Sequence, residues 1–483
     1  MFVGTASHVG KSVITAGFCR LLRQDGYHPA PFKGQNMSLN SYVTPEGLEI
    51  GRAQAVQAEA AGIECHTDMN PVLLKPTTDK SSQVILLGKP VGTQSAYEYF
   101  MGNNRQELFL EVTRAYDRLS RRFSPIVMEG AGSISELNLK SRDITNMRMA
   151  MHAGAATYLI SDIDRGGVFG SLYGTMTLLS PEERKCIKGI IINKFRGDSR
   201  LFAEGRKMIE DLCEVPVIGV LPFFRDIFIE EEDSLSMKQR QMASEKGKVN
   251  IAVILLNRLS NFTDFDNLEH DPRIHLFYTN QPDDIERADI IILPGSKNTM
   301  EDLTALKNNG VTAAVCNAYK NGKTVIGICG GYQMMGELIE DPEAVESNTG
   351  SVAGLGLLPV RTMLLSEKTT LRRKFTYRQS PETCTGYEIH MGETTTSAAF
   401  QPVNYLPDGR TDGCFASRRC WGTYMHGIFD NASIVNDILS DFRVEKKEGI
   451  NYRQYKEEQY DKLAALFREH IDMRQVYDHL RIN

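Results

Sequence analysis

Two short stretches of this sequence hold residue types that could do chemistry. In TVIGICGGYQMMG (324–336) a cysteine, Cys329, sits between an apolar run and a pair of glycines. That is the form of a nucleophile elbow, in which a strand-to-helix turn lifts a side chain above the sheet. Gly330 lets the backbone come close to a substrate, so its N–H can stabilise an oxyanion. A helix starting just after Cys329 favours the thiolate. A thiol nucleophile also needs a base, most often histidine. Of the ten histidines, His426 in TYMHGIF falls at the end of an expected strand and is followed by glycine. His390 in GYEIHMG is its rival. Gly295, in the LPGS loop at 293–296, belongs to a turn that could supply a second oxyanion donor. A buried structural cysteine with ordinary surface histidines is the plainer alternative. The paired glycines and the LPGS loop weigh against it.

The second stretch is GTASHVGKS near the chain start, which ends in Gly10-Lys11-Ser12 and runs into a helical pattern. Backbone N–H groups at a helix start can hold phosphate oxygens, Lys11 can reach the terminal phosphates, and the Ser12 hydroxyl can bind Mg²⁺. The spacing departs from the ordinary P-loop, since five residues rather than four separate Gly4 from Gly10. Only three residues precede Gly4, so the first strand is very short. Glu129 in PIVMEGAGS stands where an apolar strand ends, which is where ligands sit in open α/β sheets, and a hard carboxylate oxygen there suits Mg²⁺. Lys33 in APFKGQNMSLNS likewise follows a short strand. The plainer alternatives are a glycine-rich turn with a solvated Lys11, a surface Lys33, and a helix-capping Glu129.

The elements that must position these residues alternate. SPIVMEG, ATYLISDID, IKGIIINKF and VPVIGVLPF read as buried strands rich in Val and Ile, with helix-length segments between them. One of these, VITAGFCRLLRQDG, ends on Gly26 as a helix should. Such alternation implies a parallel sheet covered on both faces. The pattern breaks at IEEEDSLSMKQRQMASEKGK (229–248), which is charged and nearly free of apolar residues. New strands follow at VNIAVILL, ADIIILPGS and KTVIGICGG, and GTYMHGIFD reads as a strand and its exit. The expected fold class is therefore α/β, with two doubly wound, mostly parallel-sheet domains. They are expected over residues 1–230 and 249–440, with a linker at 231–248 and a charged helical segment at 441–483.

The bulk numbers agree with such a chain. At 483 residues it is too long for one ordinary core. A net charge of −6 gives no reason to expect a nucleic-acid partner. No apolar run approaches a membrane span, and no secretory signal is visible. Nine cysteines without framework spacing suggest reduced thiols in the cytoplasm, and the absence of close Cys/His clusters argues against a structural zinc site. The oligomeric state is not legible.

At this point the residues carry a resemblance. GICGGYQMMG with a downstream YMHG resembles a class I glutamine amidotransferase domain of the variant type found in cobalamin biosynthesis. GTASHVGKS, Phe32-Lys33, EGAGS (129–133) and NKFRGD (193–198) resemble a dethiobiotin-synthetase-like, P-loop NTPase-like ATPase domain. QNMSLNS, EIGRAQ, DMNPVLLKP, SDIDRGGVFGSLYGT and GYEIHMG extend the likeness over nearly the whole chain, which resembles the cobyric acid synthase family.

The resemblance implies a cytoplasmic enzyme that uses ATP, Mg²⁺ and glutamine as nitrogen donor to amidate a corrinoid at carboxylates b, d, e and g. It implies Cys329 as nucleophile and His426 as base, with Gly295, Gly330 and Gln333 around the bound glutamine. Thr5, Gly10, Lys11, Ser12, Lys33 and Asn193 would bind ATP, with Asn193 near the adenine, and Ser12 and Glu129 would hold the metal. Ordinary class I amidotransferases carry a Glu two residues after the His. Here that position is Ile428, as in the variant family, so the group orienting His426 is open. His8 stands where an acidic residue is common. QNMSLNS, Glu136 and Asp143 are guesses for contacts to the corrin. Two other readings stay open: the related a,c-diamide synthase, and a partition-type ATPase carrying an inactive amidotransferase-like module.

Overall fold

The computed structural model describes all residues except 103–104, 231–243, 348, 397–398, 445–448 and 482–483. Most of the expected linker, 231–248, therefore lies outside the described residues. Among the described residues no helix is long and apolar enough to cross a membrane.

Six parallel strands build the first sheet. Ala30–Phe32 pairs with Ile126–Met128, which meets the opening strand Phe2–Gly4 through a Phe2–Glu129 bridge. The sheet then continues through Thr157–Asp162, Ile187–Phe195 and Val217–Pro222. The strand ends that carry Gly4, Phe32 and Met128 lie side by side, so the loops that follow them converge. The expected first helix spans Lys11–Gln24 and stops at Asp25, with Gly26 in the left-handed region.

The second sheet runs Ile274–Thr279, Val249–Ile254, Ile290–Leu293, Thr324–Ile328 and Cys420–Thr423, all parallel, with Cys414–Ser417 antiparallel at the edge. The expected strand at GTYMHGIFD is shorter than its sequence suggested. It stops at Thr423, and Tyr424–Gly427 form the exit.

Two features outside the sequence reading bear on how the units meet. One is a long antiparallel hairpin, Val360–Tyr377 with Thr383–Thr396, which reaches over the N-terminal unit. Its Lys368 pairs with Glu49, its Arg372 donates to Val43 O (2.7 Å), and its Tyr387 packs on Tyr42. The other is the destination of the C-terminal helix Tyr452–His470, which packs on Lys11–Gln24, with Tyr455 near its start against His270 of the unit that precedes it. Phe467 meets Phe18, and Arg20 pairs with Glu457 and Asp461. A Cβ on Gly17 would lie 2.3 Å from the Phe467 ring, so only glycine permits this approach.

Candidate active sites

The thiol end is an elbow in fact. Cys329 follows the strand Thr324–Ile328 and precedes the short helix Gly330–Met335, with φ 52 and ψ −111. A non-glycine residue in that region is strained, and such strain persists only where the surroundings enforce it. Gly331 shows how tight they are, since a Cβ there would lie 1.9 Å from Leu293 O. The thiol donates to Ile389 O at 3.5 Å.

His426 is the base candidate that the fold delivers. Its Nδ1 lies 2.6 Å from Asp264 Oδ2, leaving Nε2 for the Cys329 sulfur, and Asp264 Oδ1 accepts from Gly427 N at 2.9 Å. Burial pushes the imidazole pKa down, but the Asp264 carboxylate and the Cys329 sulfur more than offset it and raise it to about 10. His426 is therefore an imidazolium at neutral pH, poised to give a proton. His390 also borders the thiol, but it stacks on Tyr424 at 3.8 Å and burial lowers it to about 4. It stays neutral and is not the acid.

Asp264 answers the question left by Ile428. It lies in Phe262–Phe265, after the first strand of the unit, in SNFTDFDNLEH. No motif spacing links it to His426, 162 positions away; only the packing of Phe262–Phe265 against the turn Ile428–Asp430 does. Replacing Asp264 by Asn should lower glutaminase turnover by roughly 10²- to 10⁴-fold, the range for general acid–base assistance. Because the carboxylate raises the imidazolium pKa, its loss should move the alkaline limb of the rate profile to lower pH. Ammonia release measured across pH checks both, and an unmoved limb would show that Asp264 does not act through His426.

The remaining residues gather as follows. A Cβ on Gly330 would lie 2.9 Å from Ser296 N, so the Gly330 backbone and the LPGS loop face each other across the thiol. Gly295 itself lies against the His426 ring, with Cε1 3.3 Å from where its Cβ would be. Its lack of a side chain makes room for the imidazole, and the nearer donor of that loop is Ser296 N. Ser296 Oγ donates to Asp302 (2.6 Å), which fixes the loop. Gln333 donates to Tyr424 Oη (3.0 Å) and accepts from Thr299 Oγ1 (3.2 Å).

At the phosphate end, Glu129 is the hub. Its Oε1 accepts from Ser12 Oγ (2.8 Å) and Lys33 Nζ (2.9 Å), and its Oε2 accepts from Gln57 Nε2 (2.7 Å). Burial alone would raise its pKa, but Lys33 and these donors hold it below the ordinary carboxylate range. Glu129 is thus an anion and not a helix cap. Lys11 Nζ bridges Ala6 O (3.0 Å) and Gly132 O (2.9 Å), tying the early loop to the loop after Glu129. Gly10, at φ 99, takes the turn into the helix. Thr5 Oγ1 lies 3.0 Å from Ser161 Oγ on the adjoining strand.

Two expectations shift. Asn193 does not offer a free amide to a base: its Nδ2 donates to Val9 O (2.8 Å) and its Oδ1 accepts from Lys194 N (2.9 Å), so it braces the loop. The QNMSLNS block does not form an open corrin-facing surface either. Asn36, Ser38, Asn40 and Ser41 are buried, Ser41 N donates to Asn261 Oδ1, and Asn40 Oδ1 accepts from Phe262 N. It forms the seam between the units. Asp143 accepts from Thr145 N and Asn146 N and holds a turn.

Among the described residues no group of three or more His, Cys, Asp or Glu side chains is placed to hold a metal. One hydroxyl and one ionised carboxylate, Ser12 and Glu129, do fit Mg²⁺, which takes few protein oxygens and completes its shell with water and phosphate.

Comparison with known proteins places these sites in a family. Residues 1–237 match the CobQ/CobB/MinD/ParA nucleotide binding domain, and residues 250–434 match the CobB/CobQ-like glutamine amidotransferase domain. The chain is 60% identical to a cobyric acid synthase of Parabacteroides distasonis, over 100% of this chain and 98% of that protein. It is 58% identical to one of Bacteroides fragilis, over 100% and 98%. A solved glutamine amidotransferase structure overlaps 44% of this chain and 98% of its own at a TM-score of 0.29 and 11% identity, a likeness too weak to carry weight. With relatives this similar over its full length, the chain belongs to the cobyric acid synthase family of glutamine-dependent amide ligases.

Proposed function

We propose that this enzyme converts a cobyrinic acid a,c-diamide corrinoid to the corresponding cobyric acid in the cytoplasm, amidating the b, d, e and g carboxylates with glutamine nitrogen and ATP. The observation that carries the reading is the pairing of a Cys329–His426–Asp264 site with a Lys11–Ser12–Lys33–Glu129 site across one buried seam. Residues 1–230 would serve as the synthetase unit and 249–440 as the glutaminase.

At the glutaminase, Cys329 sulfur attacks the side-chain amide carbon of glutamine. The Gly330 and Ser296 N–H groups take the charge that develops on the carbonyl oxygen. His426 gives its Nε2 proton to the departing ammonia, leaving a thioester. Water then adds to the thioester, returns a proton to the imidazole, and releases glutamate.

At the synthetase, a corrin carboxylate takes the terminal phosphoryl group of ATP to give an acyl phosphate and ADP. Ammonia attacks the acyl carbon and phosphate leaves. Lys11 and Lys33 present ammonium groups toward the transferring phosphate, and the early loop presents backbone N–H groups. Ser12 and Glu129 would hold Mg²⁺, which when bound neutralises phosphate charge. The N-terminal unit also buries the amides of Asn36, Asn40, Gln54, Gln57 and Asn70. Gln54 Nε2 and Gln57 Oε1 have no hydrogen-bond partner among the described residues.

Incubation with ATP, glutamine and cobyrinic acid a,c-diamide, followed by mass measurement, tests the substrate. Mass should shift in equal steps and stop after b, d, e and g. No shift on this substrate, with shifts on cobyrinic acid, would favour the a,c-diamide synthase instead.

The Lys11→Met variant should keep glutaminase activity and lose amidation by on the order of 10²- to 10³-fold, the effect of removing one preorganised donor. Product formation at saturating ATP checks this. Undiminished amidation would mean that the loop is only a turn.

A further inference from the structure

The wall of the Cys329 pocket is not built by one unit. Lys75, at the end of the strand Val72–Pro76 in the N-terminal half, borders it together with Lys297 and Lys368 of the other half. Lys75 Nζ donates to Glu49 Oε1 (2.8 Å) and to Ser41 Oγ (2.9 Å), and Lys368 pairs with Glu49 Oε2. Glu49 is wholly buried, and both lysine side chains are 5% exposed. One carboxylate of the N-terminal unit is thus shared by two ammonium groups, one from each unit.

The charges do not balance. Three lysines face two carboxylates, Glu49 and Glu346. Glu346 is engaged at the start of the helix Thr299–Asn308, accepting from Thr299 N at 2.6 Å. Burial raises Glu346 to about 7, so it is only part ionised at neutral pH. Burial, and then Lys368 and Lys75, lower Lys297 to about 7, so it too is only part charged at neutral pH, and the imbalance lies in Lys75 and Lys368 sharing the single carboxylate of Glu49. The Cys329 sulfur is among the charges acting on Lys368. A buried site with surplus positive charge is stabilised by an anion. The substrate of Cys329 carries one at its other end.

We propose that Lys75, Lys297 and Lys368 bind the α-carboxylate of glutamine, so that the N-terminal unit supplies part of the glutaminase's substrate recognition. The proposal rests on Cys329 as the glutaminase nucleophile. It makes glutamine binding sense the seam between the units, since Lys75 comes from one and Cys329 from the other, and Ser41–Asn261, Asn40–Phe262 and Glu49–Lys368 contacts hold them together. By linkage, whatever tightens the seam tightens glutamine.

The test compares glutamine with 4-aminobutanamide, which is glutamine without its α-carboxylate. Ammonia release is measured for the full-length wild type, Lys75→Met and Lys297→Met. Lys297 does not share Glu49, so its variant remains informative if Lys75→Met fails to fold. Wild type should prefer glutamine strongly. Each variant should lose roughly 10- to 100-fold in kcat/KM for glutamine, the range of one hydrogen bond to a charged group, mostly through KM. Turnover of 4-aminobutanamide should be unchanged. Equal losses on both amides, or no loss on either, would overturn the proposal. Selective loss in Lys297→Met alone, with a folded and unaffected Lys75→Met, would overturn the contribution across the seam. Ammonia release by Cys329→Ser would strike the pocket assignment itself, a separate failure.

Discussion

Replacing Cys329 by serine is expected to abolish glutamine-dependent amidation while ammonium salts at high concentration still support it. The substitution changes one atom at a buried site and leaves the backbone of the elbow intact, so the fold should persist. What is lost is the nucleophile: a serine hydroxyl is a far weaker nucleophile than a thiol at neutral pH, and Asp264 still favours the charged imidazole, which cannot take the hydroxyl proton. In the wild type the same imidazolium is matched to a sulfur that can carry the negative charge. The fall should be at least about 10⁴-fold, as for loss of a covalent nucleophile. Ammonia-driven amidation should survive because Lys11, Ser12, Lys33 and Glu129 all lie in the other unit. It should improve as pH rises, because only the unprotonated amine attacks an acyl phosphate. Measurement of product from glutamine and from ammonium chloride decides the matter. A folded variant that loses both activities would make Cys329 structural.

The parts legible in the sequence were those set by local pattern. The strand at Ile187–Phe195 matches its apolar run residue for residue, because a strand buried on both faces writes itself as continuous Val and Ile. The elbow and the Lys11 loop were legible for a similar reason, since glycine spacing around a reactive side chain is a local requirement. Asp264 was not legible. Its role depends on the segment Phe262–Phe265 packing against the turn Ile428–Asp430 that follows His426, which no spacing of residues records. The hairpin Val360–Tyr377 with Thr383–Thr396 escaped notice because much of it is half-exposed, with Lys, Arg, Thr and Glu in place of apolar alternation. The same polarity serves its function as a bridge, since Lys368 and Arg372 meet Glu49 and Val43 O across the seam. QNMSLNS misled for the opposite reason. A polar block suggests contact with ligand or water, but here Asn40 Oδ1 accepts from Phe262 N, Ser41 N donates to Asn261 Oδ1, and the Asn36 amide donates to Gln54.

Glu129→Gln should lose amidation and also lose stability, and the two losses can be separated. The glutamine keeps the size of the side chain but removes the charge that Lys33 neutralises at 2.9 Å. Lys33 is 7% exposed at the side chain, so its buried ammonium would lose the carboxylate charge that lies 2.9 Å away. Removing one partner of such a pair costs about 3–5 kcal/mol. Glu129 has its pKa depressed in the folded protein, so its contribution to stability is present above the unfolded value of about 4.3 and is lost as pH falls through the folded value. The stability gap between wild type and variant should therefore narrow on acidification. The double variant Glu129→Gln, Lys33→Met removes the buried cation along with its carboxylate and should recover much of the stability. Amidation should not recover, because neither the carboxylate that suits Mg²⁺ nor the Lys33 ammonium is restored. A deficit of several kcal/mol in charge stabilisation corresponds to about 10³-fold or more in rate. Glutaminase activity, measured in parallel, should fall far less, since Asp264, His426 and Cys329 are untouched. Thermal unfolding against pH, with amidation rates across Mg²⁺ concentration, gives both readouts. A double variant that is stable, amidates at the wild-type rate and needs no more Mg²⁺ would remove Glu129 from the phosphate site.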